Sequence, residues 1–151
     1  MNGMKTILCS LAVLPFLAGC GKQEAAPSGG ARPGSAQAGH AVLAAEGEKI
    51  PLPDGGWFTW RFAEKAKLGT PIAKVQVFGK DGAQAAACEV IGEYGMPSMR
   101  YHDSGPVKFQ LNKKGDYLLP VNLVMPGEWE LKIKVLKGTE KLYEGAILFT
   151  I

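Results

Sequence analysis

From residue 50 to residue 151 apolar and polar side chains alternate with a period of two, and that period rules out an amphipathic helix as the building unit. Residues 128–136, EWELKIKVL, are the clearest case: Trp129, Leu131, Ile133 and Val135 alternate with Glu130, Lys132 and Lys134. WFTWRF sets Phe58, Trp60 and Phe62 on one face and Trp57, Thr59 and Arg61 on the other. IAKVQVF, AAACEVIGEY, VKFQL, DYLLPVNLV and LYEGAILFTI repeat the habit, with Val107, Phe109 and Leu111 expected inward. Between these runs stand turn sequences, GKDG, NKKG and KGTEK, rich in residues that tolerate tight backbone angles. Pro120 cannot donate to a ladder, so DYLLPVNLV reads as an edge strand or a bulge. About seven short strands with turn chemistry between them predict an all-β, immunoglobulin-like antiparallel sandwich. No Cys…Trp…Cys pattern is present, so packing must stabilise it. The expected core is Phe58, Trp60, Phe62, Val77, Phe109, Leu119, Trp129 and Phe149.

The first nineteen residues have the pattern of an export signal. Lys5 supplies a positive start, and TILCSLAVLPFLAG follows as an apolar run too short for a bilayer span, which needs roughly 20 residues. Leu17, Ala18, Gly19 and Cys20 resemble the lipobox of bacterial lipoproteins, which implies cleavage before Cys20 and its lipidation. Each acyl CH₂ buried in a bilayer contributes about 0.8 kcal/mol, so two or more chains, such as palmitate, hold a protein on a membrane. Gly21 follows the cysteine, and the lack of Asp there resembles the outer-membrane sorting pattern of Gram-negative cells. The expected address is therefore the periplasmic side of the outer membrane, or the outer face of the single membrane of another host.

Residues 20–49 comprise the lipidated cysteine and a stretch rich in Ala, Gly, Ser and Pro. Such a composition buries too little apolar surface to offset its ordering entropy, so a tether is expected here, with the folded domain at 50–151. Removing residues 1–19 takes away Lys5 and leaves 16 cations against 14 anions, a formal charge of +2. A nucleic-acid binder would show a clustered basic footprint, and none stands here. Of the three cysteines, Cys9 leaves with the signal and Cys20 is expected to carry lipid, so no disulfide can form within the mature chain. Cys88, in AAACEV, reads either as a small buried hydrophobe or as a reactive or metal-binding thiol.

The segment 93–105, EYGMPSMRYHDSG, spaces Met96, Met99 and His102 three apart. Thioether sulfur is soft and suits Cu(I), and imidazole completes such a set. In an ordinary strand residues three apart face opposite ways. In a polyproline II stretch, favoured around Pro97, they fall on one edge. Met125, in VMPGE, would add a sulfur if the two loops meet at one end of the sandwich. The competing reading is that methionine fills irregular gaps against Trp129 and that His102 is a solvated loop residue.

Met96-Pro97-x-Met99, then Gly115-Asp116-Tyr117, then Met125-Pro126-Gly127-x-Trp129 resemble the YtkA-like family, related to the FixH accessory proteins, over roughly residues 55–150. The resemblance implies an extracytoplasmic immunoglobulin-like or cupredoxin-like sandwich with a link to copper handling. Many members follow the Met-Pro-x-Met segment with Gly-His, whereas this chain runs RYHDSG and places His102 two residues further on.

Catalysis finds no support in the motifs. No nucleophile elbow, HExxH, CxxC or glycine-rich phosphate loop is present,. Cys88 and His102 lack an orienting third group, and Glu89, Glu93 and Asp103 are expected to scatter by alternation. Two functions follow: an anchored domain that binds or delivers Cu(I) through Met96, Met99, His102 and Met125, or a non-catalytic scaffold of an envelope complex such as an efflux or oxidase-assembly machine. Neither requires a small-molecule substrate.

Overall fold

A computed structural model describes residues 41–99, 101 and 103–151. The signal, Cys20, Arg100 and His102 lie outside the described residues. Among the described residues ten strands run in chain order: β1 Ala41–Val42, β2 Ile50–Pro51, β3 Trp57–Phe62, β4 Ile72–Phe78, β5 Glu89–Gly95, β6 Val107–Lys108, β7 Gln110–Leu111, β8 Tyr117–Pro120, β9 Glu128–Lys137 and β10 Glu140–Thr150. They form two five-stranded sheets, ordered β1-β10-β9-β5-β6 and β2-β3-β4-β8-β7. Every pairing is antiparallel except β1 with β10. The all-β architecture expected from the alternation is what the chain adopts.

The alternation places the core between the sheets. Phe58, Trp60 and Phe62 from β3, Val75 and Val77 from β4, Val90 from β5, and Trp129, Leu131, Ile133 and Val135 from β9 are all buried. Each fully buried large side chain of this kind contributes roughly 1.5–3 kcal/mol. Leu142 and Tyr143 both reach the core from adjacent positions because the β9–β10 register shifts between Lys141 and Tyr143. Such a bulge turns two successive side chains to one face. Between the same strands only Gly138 and Thr139 intervene, and Gly138 takes φ +60°, the angle a two-residue hairpin requires.

The segment VKFQL departs from expectation. Val107 and Lys108 pair with β5 in one sheet, while Gln110 and Leu111 pair with β8 in the other. Phe109 is the crossing point and is buried. The crossing breaks the alternation, so Leu111, expected inward, is exposed. Phe109 finds room because Gly92 faces it: a Cβ on Gly92 would stand 2.7 Å from the Phe109 ring and 2.5 Å from Leu119. Pro120 closes β8 opposite Ile72. Val121 donates to the Pro71 carbonyl, so the Pro120 nitrogen faces the other way, where β7 does not reach, and its missing donor costs nothing.

Residues 41–49, assigned to the tether on composition, belong to the folded body. Ala41 and Val42 lie along Gly145 and Ala146, Leu43 is buried, and the Ala44 carbonyl accepts the Trp60 indole N–H at 2.8 Å. A three-residue apolar signal, AVL, outweighs the composition around it because a core slot is open to Leu43. Phe149, expected in the core, is half-buried: it packs at its margin, edge-on to Phe62 at 5.2 Å between ring centres.

Candidate metal centre

Two loops and Ile151 meet at the end of the sandwich where β5 ends and β9 begins. Met96, Pro97, Ser98 and Met99 form a tight four-residue turn, closed by the Met99 N–H donating to the Met96 carbonyl at 2.8 Å. Pro97 occupies the second position, where its fixed φ favours a turn. The polyproline II geometry expected for this stretch is therefore replaced by a reversal, and the reversal solves the facing problem differently. Met96 and Met99 are antiparallel bridge partners, and residues directly opposite each other across such a pair put their Cβ atoms on the same side, about 5 Å apart.

The second Met-Pro turn abuts the first. Gly127 adopts φ +144°, and a Cβ there would come within 2.7 Å of the Met96 methyl carbon. Gly127 also exchanges backbone hydrogen bonds with Ile151, and the Trp129 indole N–H donates to the Met125 carbonyl at 3.1 Å. The two loops therefore meet at Gly127 and Met96, while the Met125 backbone is held by Trp129. Exposure divides the three thioethers: Met96 is 5 % exposed and Met99 43 %, while Met125 is half-buried against the core. His102, the fourth expected ligand, lies outside the described residues. Asp103 closes over the Gly95 backbone, where a side chain would overlap its carboxylate.

The remaining chemistry-bearing groups are engaged elsewhere. Cys88 is half-buried and packs against the core; burial pushes its thiol pKa up, and its carbonyl accepts the Tyr117 hydroxyl at 2.8 Å. Glu89 and Glu93, expected to scatter, share the outer face of β5, each with its own lysine, Lys108 at 3.0 Å and Lys132 at 3.4 Å. Among the described residues no three His, Cys, Asp or Glu side chains converge as a group that could hold a metal ion.

One polar centre went unread in the sequence. Asp116, 6 % exposed, accepts from Gln76 at 2.7 Å, Gln84 at 3.4 Å and Asn112 at 3.3 Å, and pairs with Lys74 at 3.0 Å. Burial opposes its ionisation, but the hydrogen bonds from Lys74, Asn112 and Gln76 outweigh burial and hold the carboxyl below its ordinary value. The available signal was Asn112, four residues before Asp116 across NKKG. Its side-chain oxygen accepts from the Lys114 and Asp116 N–H groups, an Asx-type turn. This cluster lies on the β4–β8 face with its polar atoms partnered, so it is structural.

No family model matches the chain, and no curated protein or solved structure matches it.

Proposed function

We propose that the chain is a lipid-anchored, extracytoplasmic immunoglobulin-like domain whose paired methionines bind a soft monovalent metal, Cu(I). The immunoglobulin-like reading is supported by strand order: β3-β4-β8-β7 facing β10-β9-β5-β6 follows the ABED and GFC pattern, with β6 in the C′ place. The anchor rests on Leu17-Ala18-Gly19-Cys20. The metal reading is carried by one observation, the bridge that sets Met96 and Met99 opposite each other with the Met125–Gly127 turn against the Met96 methyl. Thioether donors carry no proton to lose and select Cu(I) over harder ions. Met99 is the solvent-facing donor, and His102 is the nearest imidazole in sequence.

The burial of Met96 favours a second reading, a non-catalytic scaffold of an envelope complex in which the sulfurs are packing. Competition for Cu(I) against a coloured chelator under reducing conditions separates the two. Met96→Leu keeps the volume of the side chain and removes its sulfur, and Met99→Ala truncates an exposed group, so both variants should fold. Under the metal reading each weakens Cu(I) binding at least tenfold. Parent-like affinity in the double variant removes the site and leaves the scaffold.

A further inference from the structure

A β-sheet ends in strands whose outward N–H and C=O groups lack partners, and natural proteins cover or guard such margins. In this chain stretches of two of these margins are covered. Beyond β2, the free side of β3 is met by the Gly47 N–H donating to the Trp60 carbonyl and by the Glu46 carboxylate accepting from the Phe62 N–H at 3.1 Å. Beyond β6, β5 is met by Ser104, which accepts from the Tyr94 N–H and donates to its carbonyl. Pro120 offers no N–H at the end of β8.

The second half of β10 is different. Ile151 bonds to Gly127 in both directions, which fixes the phase: Ile147 and Phe149 turn their backbone groups to β9, and Leu148 and Thr150 turn theirs away. The same phase is visible at Ala146, whose carbonyl faces outward and accepts from the Leu43 N–H. After Leu43 the chain leaves for β3. Among the described residues nothing pairs with the outward groups of Leu148 and Thr150. The sequence Ile147–Ile151 carries none of the usual guards, neither charge nor proline. Its side chains suit an added strand. On the core side Ile147 and Phe149 are half-buried. On the outer side Leu148 is 39 % exposed, and Glu128 lies across from Thr150 with no ion pair among the described residues.

We propose that Ile147–Ile151 is a strand-addition site for an extended segment of a partner protein. That segment is apolar on the side meeting Ile147 and Phe149, and carries a lysine or arginine on the side reaching over Thr150 to Glu128. Backbone pairing supplies affinity in this mode and the alternate side chains supply selectivity. The proposal is independent of the metal reading.

The test is to pan the full chain against a displayed library of random seven-residue peptides. Enriched peptides should alternate apolar residues and include a Lys or Arg. With such a peptide bound, amide exchange at Leu148 and Thr150 should slow at least tenfold while Ile147 and Phe149 hold their values. Thr150→Pro deletes the outward donor but no bond to β9, and Leu148→Lys installs an edge guard; each should cut peptide binding at least tenfold, and Glu128→Gln should lower it severalfold. Leu148→Lys keeps the test decisive if the proline variant misfolds. Peptides that bind both variants like the parent, or leave the two amides in fast exchange, overturn the proposal. So does protection of Leu148 and Thr150 in the absence of peptide that rises with protein concentration, which would make the partner a second copy.

Discussion

At the scale of single residues, Asp116 is the side chain whose loss should be felt most widely, because four groups from β4 and two loops converge on it. Asp116→Asn removes the charge that Lys74 neutralises and should cost about 2 kcal/mol in urea unfolding. The sign of its pH dependence follows from its lowered pKa. A carboxyl depressed in the folded state adds stability above its unfolded pKa of about 3.9, and loses it as pH falls through the folded value. The urea midpoint of the parent should therefore drop as pH falls below about 4, and Asp116→Asn should drop less steeply over the same range. Glu144, lowered by Lys141 and Lys134 against the opposing effect of burial, adds to the parent slope in the same direction. Its partners are not legible in the sequence: Asp116 stands at the start of DYLLPVNLV and in the Gly115-Asp116-Tyr117 motif, and only the pairing of β4 with β8 brings Lys74 and Gln76 to it. The core aromatics were legible because alternation alone decides which way they point.

At the scale of elements, the most informative piece is the strand that changes sheets at Phe109. Gly92→Ala should destabilise by about 1–3 kcal/mol, the range for overpacking, because its methyl would meet Phe109 and Leu119. Phe109→Leu in the same chain should recover part of that loss, and a thermal melt of the single and double variants measures the coupling. A residue-by-residue pattern could not show the crossing, since period two describes a strand held in one sheet. The methionine turn makes the same point. Spacing of three suggests one edge of an extended helix, yet Met96 and Met99 stand opposite each other across a hydrogen-bonded reversal. The relevant signal was Pro97 at a turn's second position, which the sequence offers without choosing between the two geometries.

At the scale of the whole molecule, residues 41–44 bind the two sheets along one flank. They run beside β10 and then hand over to Trp60 of β3. Leu43→Ala should cost about 2–5 kcal/mol, as for other buried leucines, although composition assigns this stretch to a tether. Calorimetry on the variant checks it, with Val42→Ala, exposed at 80 %, as the near-neutral control.

The shortness of β1 has a further result. Its ladder consists of two register positions, so a tug on the chain ahead of Ala41 works against few bonds before it reaches Leu43. Peeling that strip away would bare Gly145 and Ala146 together with the apolar run behind them, and would release the Trp60 indole at the same moment. Under the proposed anchoring at Cys20, force on the chain ahead of Ala41 would act on this weak seam beside the β10 edge, and would decide whether that edge stays short and selective or becomes long and prone to clumping.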